Sequence, residues 1–179
     1  MSKTMSNKLP FRKKNRLSDY DYSQPGAYFI TICSKDKRCI FSNIVGDGAL
    51  DVPKTILTDI GKTVEKYIVS SNYIDNVSVD RYVIMPNHIH IILVITSVKT
   101  IEYQKNIVSG TSWEPSPTNQ LIPHIISTLK RLCNNEIGYN VFQRSYHDHV
   151  IRNHEDYVKI SKYIYENPLR WQYDCFYAE

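Results

Sequence analysis

The chain lacks the marks of several common function classes. Its six glycines are scattered over 179 residues and build no glycine-rich phosphate loop. No serine sits in a triad-like context. Cys33, Cys39, Cys133 and Cys175 form neither a CxxC pair nor a dense framework, which argues against a zinc module or a disulfide scaffold. Reduced thiols in a cytoplasm are the expectation. The longest apolar stretch, Ile89 to Ile95 with His90 inside it, falls far short of the about 20 residues of a membrane helix. No membrane association is expected. The N-terminal stretch has no apolar core, so no secretory signal is expected either.

Acidic residues are absent from residues 1–16, where Lys3, Lys8, Arg12, Lys13, Lys14 and Arg16 stand. The rest of the chain carries 16 basic and 18 acidic side chains and is nearly neutral. A basic arm over residues 1–22, on a neutral body, points to a polyanion such as nucleic acid. The body, 23–179, has ordinary globular composition at 42% hydrophobic and 22% charged. It reads as one domain burying roughly 70% of its unfolded surface.

Local patterns predict the elements. Asp19 to Gly26 is a turn leading into a strand over Tyr28 to Cys33, with Cys39-Ile40-Phe41 as its expected hairpin partner. Ile56, Ile60, Val64 and Ile68 recur at helical spacing, with Thr55 or Thr58 as the N-cap. Strands follow over 77–84 and 88–95, joined by Met85-Pro86-Asn87. Residues 98–120 read as a surface loop or insertion. A helix opened by Pro123 stops at Gly138, and 143–152 reads as irregular or extended. A last helix starts at the N-cap Asn153 and ends near Asn167, before Pro168. The order predicts an α+β sandwich with helices on a mostly antiparallel sheet.

His88-Ile89-His90 carries the first chemical signal. Residues two apart on a strand project to one face, so two imidazoles about 7 Å apart can converge on a cation. The final helix carries the second. Tyr163 and Asn167 lie about 40° apart around it, on the side of Ile160 and Ile164. Tyr165 points the other way, and Tyr157 sits at the edge of the apolar stripe. A phenol and an amide on a sheet-facing side require partners. A cation held by two histidines and an amide oxygen polarises a phosphate, and a tyrosine then attacks it to leave a covalent phosphotyrosine.

These motifs resemble a known family. Met85 to Ile92 is similar to the His-hydrophobic-His strand of IS200-like single-tyrosine transposases, and Tyr163-Ile164-Tyr165-Glu166-Asn167-Pro168 to their nucleophile helix. Within that group the chain resembles the REP-associated tyrosine transposases through Arg16 to Tyr22, Gly26 to Cys33 and Gln143 to Arg152. The resemblance spans roughly residues 12–172. It implies a ferredoxin-like sandwich whose central sheet carries the two histidines. It also implies metal-dependent cleavage and rejoining of single-stranded DNA beside hairpins, through a 5′-phosphotyrosine and a free 3′-hydroxyl.

In that picture Tyr163 is the nucleophile, and His88, His90 and Asn167 bind Mg²⁺ or Mn²⁺. A glutamine stands at the Asn167 position in many IS200-like enzymes, so the shorter asparagine needs the helix closer to the sheet. Both a monomer and a homodimer are compatible with the family. The expected location is a bacterial cytoplasm, with nucleoid association when DNA is bound. Arg12, Lys13, Lys14, Arg16, Lys130, Arg131, Arg144 and Arg152 are candidate phosphate contacts, and Tyr146 is a candidate base-stacking residue. His147 and His149 repeat the two-residue spacing and are a second, weaker pair. A catalytically silent hairpin-binding regulator and a related nicking enzyme are the alternative readings.

Overall fold

A computed structural model describes residues 20–46, 53–96 and 120–177. The basic arm as far as residue 19, with Arg12, Lys13, Lys14 and Arg16, lies outside the described residues, as do 98–119 of the expected loop. The strands are β1 Gly26–Cys33, β2 Ser42–Val45, β3 Lys54–Leu57, β4 Val77–Ile84, β5 His88–Ile95 and β6 His147–Ile151. The helices are α1 Asp59–Ser70, α2 Leu121–Ile137 and α3 His154–Glu166, and a 3-10 segment Pro168–Tyr173 follows α3.

Four strands form one sheet in the order β4-β5-β1-β6, with every neighbouring pair antiparallel. With α1 between β1 and β4, and α2 between β5 and β6, this is the split βαβ, ferredoxin-like arrangement. The strands β2 and β3 pair only with each other, as a hairpin inserted between β1 and α1.

Strand alternation divides the sheet's two faces between different helices. Ile30, Ile32, Ile89, Ile91 and Leu93 join one core with Val64 and Ile68 of α1 and Ile125, Ile126 and Leu129 of α2. Phe29, Ile92 and Ile151 pack on the other face against Ile160 and Ile164 of α3. The central strand β5 is therefore buried on both sides, and its sequence HIHIILVI is almost wholly apolar. Burial at roughly 25 cal/mol per Å² of apolar surface holds the three layers together. The third layer sets α3 against the sheet face that carries His88 and His90.

Three local expectations are corrected. Residues 39–41 are not the hairpin partner of β1, whose edges are taken by β5 and β6. Phe41 is instead wholly buried, its N–H donating to Pro86 O and its carbonyl accepting from Thr58 N. The first helix starts later than its periodicity suggests: 54–57 is strand β3, and Thr58 is the cap, its Oγ1 accepting from Gly61 N at 3.0 Å. Within 143–152, expected as irregular or extended, 147–151 takes the extended alternative as a regular edge strand, so His147 and His149 share one strand face just as His88 and His90 do. Helix α2 starts before the expected Pro123, at Leu121 with Gln120 as its N-cap. Strands β4 and β5 have the expected limits, Gly138 ends α2 with φ 90°, and Asn153 caps α3 by accepting from Asp156 N. No helix among the described residues is long and apolar enough to cross a membrane.

Candidate metal centre and nucleophile

The β1–β5 register sets Thr31 opposite His90 and Cys33 opposite His88. Both histidines are buried, at 0% and 1% exposure, with ring centroids 4.5 Å apart. His88 Nδ1 lies 2.9 Å from Asn87 Oδ1, and His90 Nδ1 lies 2.9 Å from Thr31 Oγ1. Each ring thus spends Nδ1 on a protein partner. His90 Nε2 faces Tyr163 Oη at 3.2 Å, while the buried Nε2 of His88 has no hydrogen-bond partner among the described residues.

Helix α3 brings the other two residues. Ile164 is buried against the sheet, and Asn167 at the helix end is 2% exposed. Tyr163 lies at the rim, 39% exposed, its ring edge-on to Phe29 at 6.2 Å. Tyr165, 77% exposed, faces away, and Tyr157 donates to Asp80 at 2.7 Å. The helical-face argument therefore picked the tyrosine that reaches the histidines.

Asp174 is the residue that sequence reasoning missed. The 3-10 segment after α3 turns the chain back, and Asp174 Oδ2 accepts from Tyr163 Oη at 3.2 Å and from Asn167 Nδ2 at 2.9 Å. One ring nitrogen from each histidine and an Asp174 carboxylate oxygen all lie within 4.8 Å of one another. No spacing motif links Asp174 to the histidines. Its only sequence signal was an acidic residue soon after a helix-ending Asn-Pro.

Burial sets the electrostatics. It lowers His88 to about 4, with the Asp174 carboxylate opposing in part, and holds His90 well below the ordinary imidazole value, with His88 adding to the effect. Both rings are neutral at pH 7, which is the form that ligates metals. Burial, reinforced by the Asp174 charge, pushes the Tyr163 phenol well above the ordinary tyrosine value. An unassisted Tyr163 is a poor nucleophile.

The donor set fits a divalent cation. Besides His88 Nε2, Asn167 Oδ1 is buried without a hydrogen-bond partner among the described residues, and its amide nitrogen is already committed to Asp174. Leaving such groups unmet costs about 1–3 kcal/mol each. Two orphaned lone pairs, a second imidazole and a carboxylate in one cluster are what a cation would satisfy.

The other candidates lie elsewhere. Lys130 is largely spoken for: its Nζ donates to the carbonyls of Gln143 and Ser145, and burial lowers it to about 8. Arg131, Arg144 and Arg152 are exposed. Tyr146 is 8% exposed and belongs to the core on the α1–α2 side, so it offers little open ring for stacking. His147, opposite Thr31 on the edge strand, is exposed, and His149 pairs with Asp156 at 2.7 Å.

Comparison with known proteins bears on both lineage and fold. No protein-family model matches the chain. An uncharacterised protein of Haemophilus influenzae (strain Rd) is 34% identical over 176 residues, covering 94% of each chain. The chain belongs to that protein's family. Among solved structures, a REP-associated tyrosine transposase bound to a REP hairpin superposes with a TM-score of 0.59, at 18% identity, over 87% of this chain and 73% of that one. The two share a fold.

Proposed function

We propose that this chain, which has the fold of a REP-associated tyrosine transposase, cleaves and rejoins single-stranded DNA beside a hairpin through a covalent phosphotyrosine. The observation that carries this reading is Tyr163 Oη within 3.2 Å of both His90 Nε2 and Asp174 Oδ2, next to two buried lone pairs without partners among the described residues. A phenol beside a carboxylate and a cation-binding cluster is equipped for attack on a phosphodiester. The hairpin bound to the structural neighbour supports a hairpin-bearing strand as the substrate class.

Tyr163 is the nucleophile in this reading. Its phenolic proton passes to Asp174 Oδ2 as Oη bonds to phosphorus. The bond from phosphorus to the 3′ oxygen breaks, and that oxygen leaves as a hydroxyl after taking a proton from solvent. Rejoining reverses the step with a new 3′-hydroxyl. Thr31 and Asn87 hold the two rings while this happens, and Phe29 steadies the Tyr163 ring from its edge. His88, His90 and Asn167 would hold Mn²⁺ or Mg²⁺, the mixed nitrogen and oxygen set suiting Mn²⁺ better. Bound there, the ion supplies Lewis-acid polarisation of the phosphate.

The test is a denaturing gel of the protein with labelled single-stranded hairpin DNA and Mn²⁺, Mg²⁺ or EDTA. A metal-dependent covalent adduct, lost in Tyr163→Phe with DNA binding kept, is expected. Adduct persisting in Tyr163→Phe would move the nucleophile to Tyr165 or Tyr157. Hairpin binding without any adduct would favour a catalytically silent DNA-binding regulator.

A further inference from the structure

Asn87 ends the turn between β4 and β5 and is 1% exposed. Its backbone is pinned on both sides: Ser34 N donates to Asn87 O at 2.8 Å, Phe41 N to Pro86 O at 2.9 Å, and Met85 N to His88 O at 2.9 Å. Its side-chain amide has three partners. Nδ2 donates to Phe176 O at 2.7 Å and to Lys37 O at 3.3 Å, and Oδ1 lies 2.9 Å from His88 Nδ1.

We propose that Asn87 is a positioning residue that locks His88 into the Nδ1–H tautomer, so that its buried Nε2 always presents a bare lone pair to the cation. The argument is one of donors and acceptors. Two carbonyl oxygens can be met only by an N–H, so the amide cannot be turned over without setting three acceptors against one another. Oδ1 has no proton to give, and His88 Nδ1 must therefore carry the hydrogen. A neutral imidazole with a proton on Nδ1 has none on Nε2. That Nε2 has no hydrogen-bond partner among the described residues.

His90 differs in a way that sharpens the assignment. Its Nδ1 partner is the Thr31 hydroxyl, which can donate or accept, and its Nε2 faces Tyr163 Oη. Because Oη donates its one proton to Asp174, its bond to His90 requires Nε2–H in the metal-free chain, with Nδ1 accepting from Thr31; the Thr31 hydroxyl, able to donate or accept, lets that proton move to Nδ1 when Nε2 is needed. The two rings thus have different duties. His88 is held ready for a cation, and His90 must shift its proton from Nε2 to Nδ1 to bind one.

The proposal rests on the reading of the cluster as a cation site, but the tautomer is measurable without any cation. Long-range proton–nitrogen correlation spectra of the metal-free full chain, with labelled histidine and His88→Ala to identify the His88 signals, read it directly. Nδ1 protonated and Nε2 bare is the expected result, giving way to Nε2–H or a mixture in Asn87→Ala. Calorimetric titration with Mn²⁺ should show Asn87→Ala weakened by about 10–100-fold relative to wild type. A wild-type His88 protonated at Nε2 would overturn the proposal. So would a folded Asn87→Ala with the tautomer and the Mn²⁺ affinity both unchanged. If Asn87→Ala does not fold, the wild-type tautomer decides alone. Wild-type protein that binds no Mn²⁺ overturns the cation reading of the cluster, and the tautomer still decides the role of Asn87.

Discussion

Asn167 gives an amide hydrogen to Asp174 Oδ2 at 2.9 Å, across the 3-10 segment that joins them. The bond fixes which end of the Asn167 amide remains, and the remaining oxygen is buried without a partner among the described residues. Asp174 therefore orients one candidate ligand while accepting from the candidate nucleophile.

Replacing that carboxylate should disturb both. Asp174→Asn keeps the size but removes a negative charge from the cluster and allows the Asn167 amide to turn over. Mn²⁺ affinity is expected to fall by an order of magnitude or more in calorimetric titration, and adduct formation to fall with it. Unchanged affinity would limit Asp174 to the proton-transfer role.

Cation binding should be visible in stability. A ligand that binds only the folded chain stabilises it by about 2.7 kcal/mol at 100 times its dissociation constant. Mn²⁺ is expected to raise the midpoint of thermal unfolding, EDTA to reverse the gain, and His88→Ala to abolish it. Differential scanning calorimetry checks all three.

Acid should destabilise the metal-free protein before any carboxylate titrates widely. The folded value of His88 lies below its ordinary one, so the unfolded chain takes up the proton first as pH falls. Its contribution is complete above about pH 6.5 and is lost through the window down to about 4. Urea unfolding midpoints measured between pH 7 and 4 should decline in wild type, and less steeply in His88→Ala.

Gly61→Ala tests the frame that supports the β4–β5 turn. A Cβ there would sit 1.9 Å from the carbonyl oxygen of Phe41, which also accepts from Thr58 N and Thr58 Oγ1. Backbone on both sides leaves little room to yield. A loss of about 3 kcal/mol is expected in urea unfolding, against a small effect for an alanine replacing exposed Asp59.

Much of the site was legible because it obeys short periods. The two-residue repeat of a strand sets His88 and His90 on one face, and the helical period sets Tyr163 near Asn167. Caps and stops were legible for the same reason: Asn153 and Gly138 act through bonds to residues a few positions away. Pairing partners were not. Nothing near β1 announces that β5 and β6 flank it, so a neighbouring apolar triplet looked like its mate. Lys130 illustrates the limit for charges, since a lysine that caps loop carbonyls reads in sequence like one that meets phosphate.

By itself, the sequence determined which side chains share a face, where helices stop, and that two imidazoles, a phenol and an amide belong to regular elements. Those properties follow from backbone geometry over a few residues. Tertiary structure alone decided that Thr31 meets His90 from 59 positions away, that Asp174 returns to Tyr163, and that Asn87 faces His88 with its oxygen. Such contacts depend on which strands pair and which face each helix covers. Burial of the whole apolar surface settles that choice, and no local pattern encodes it.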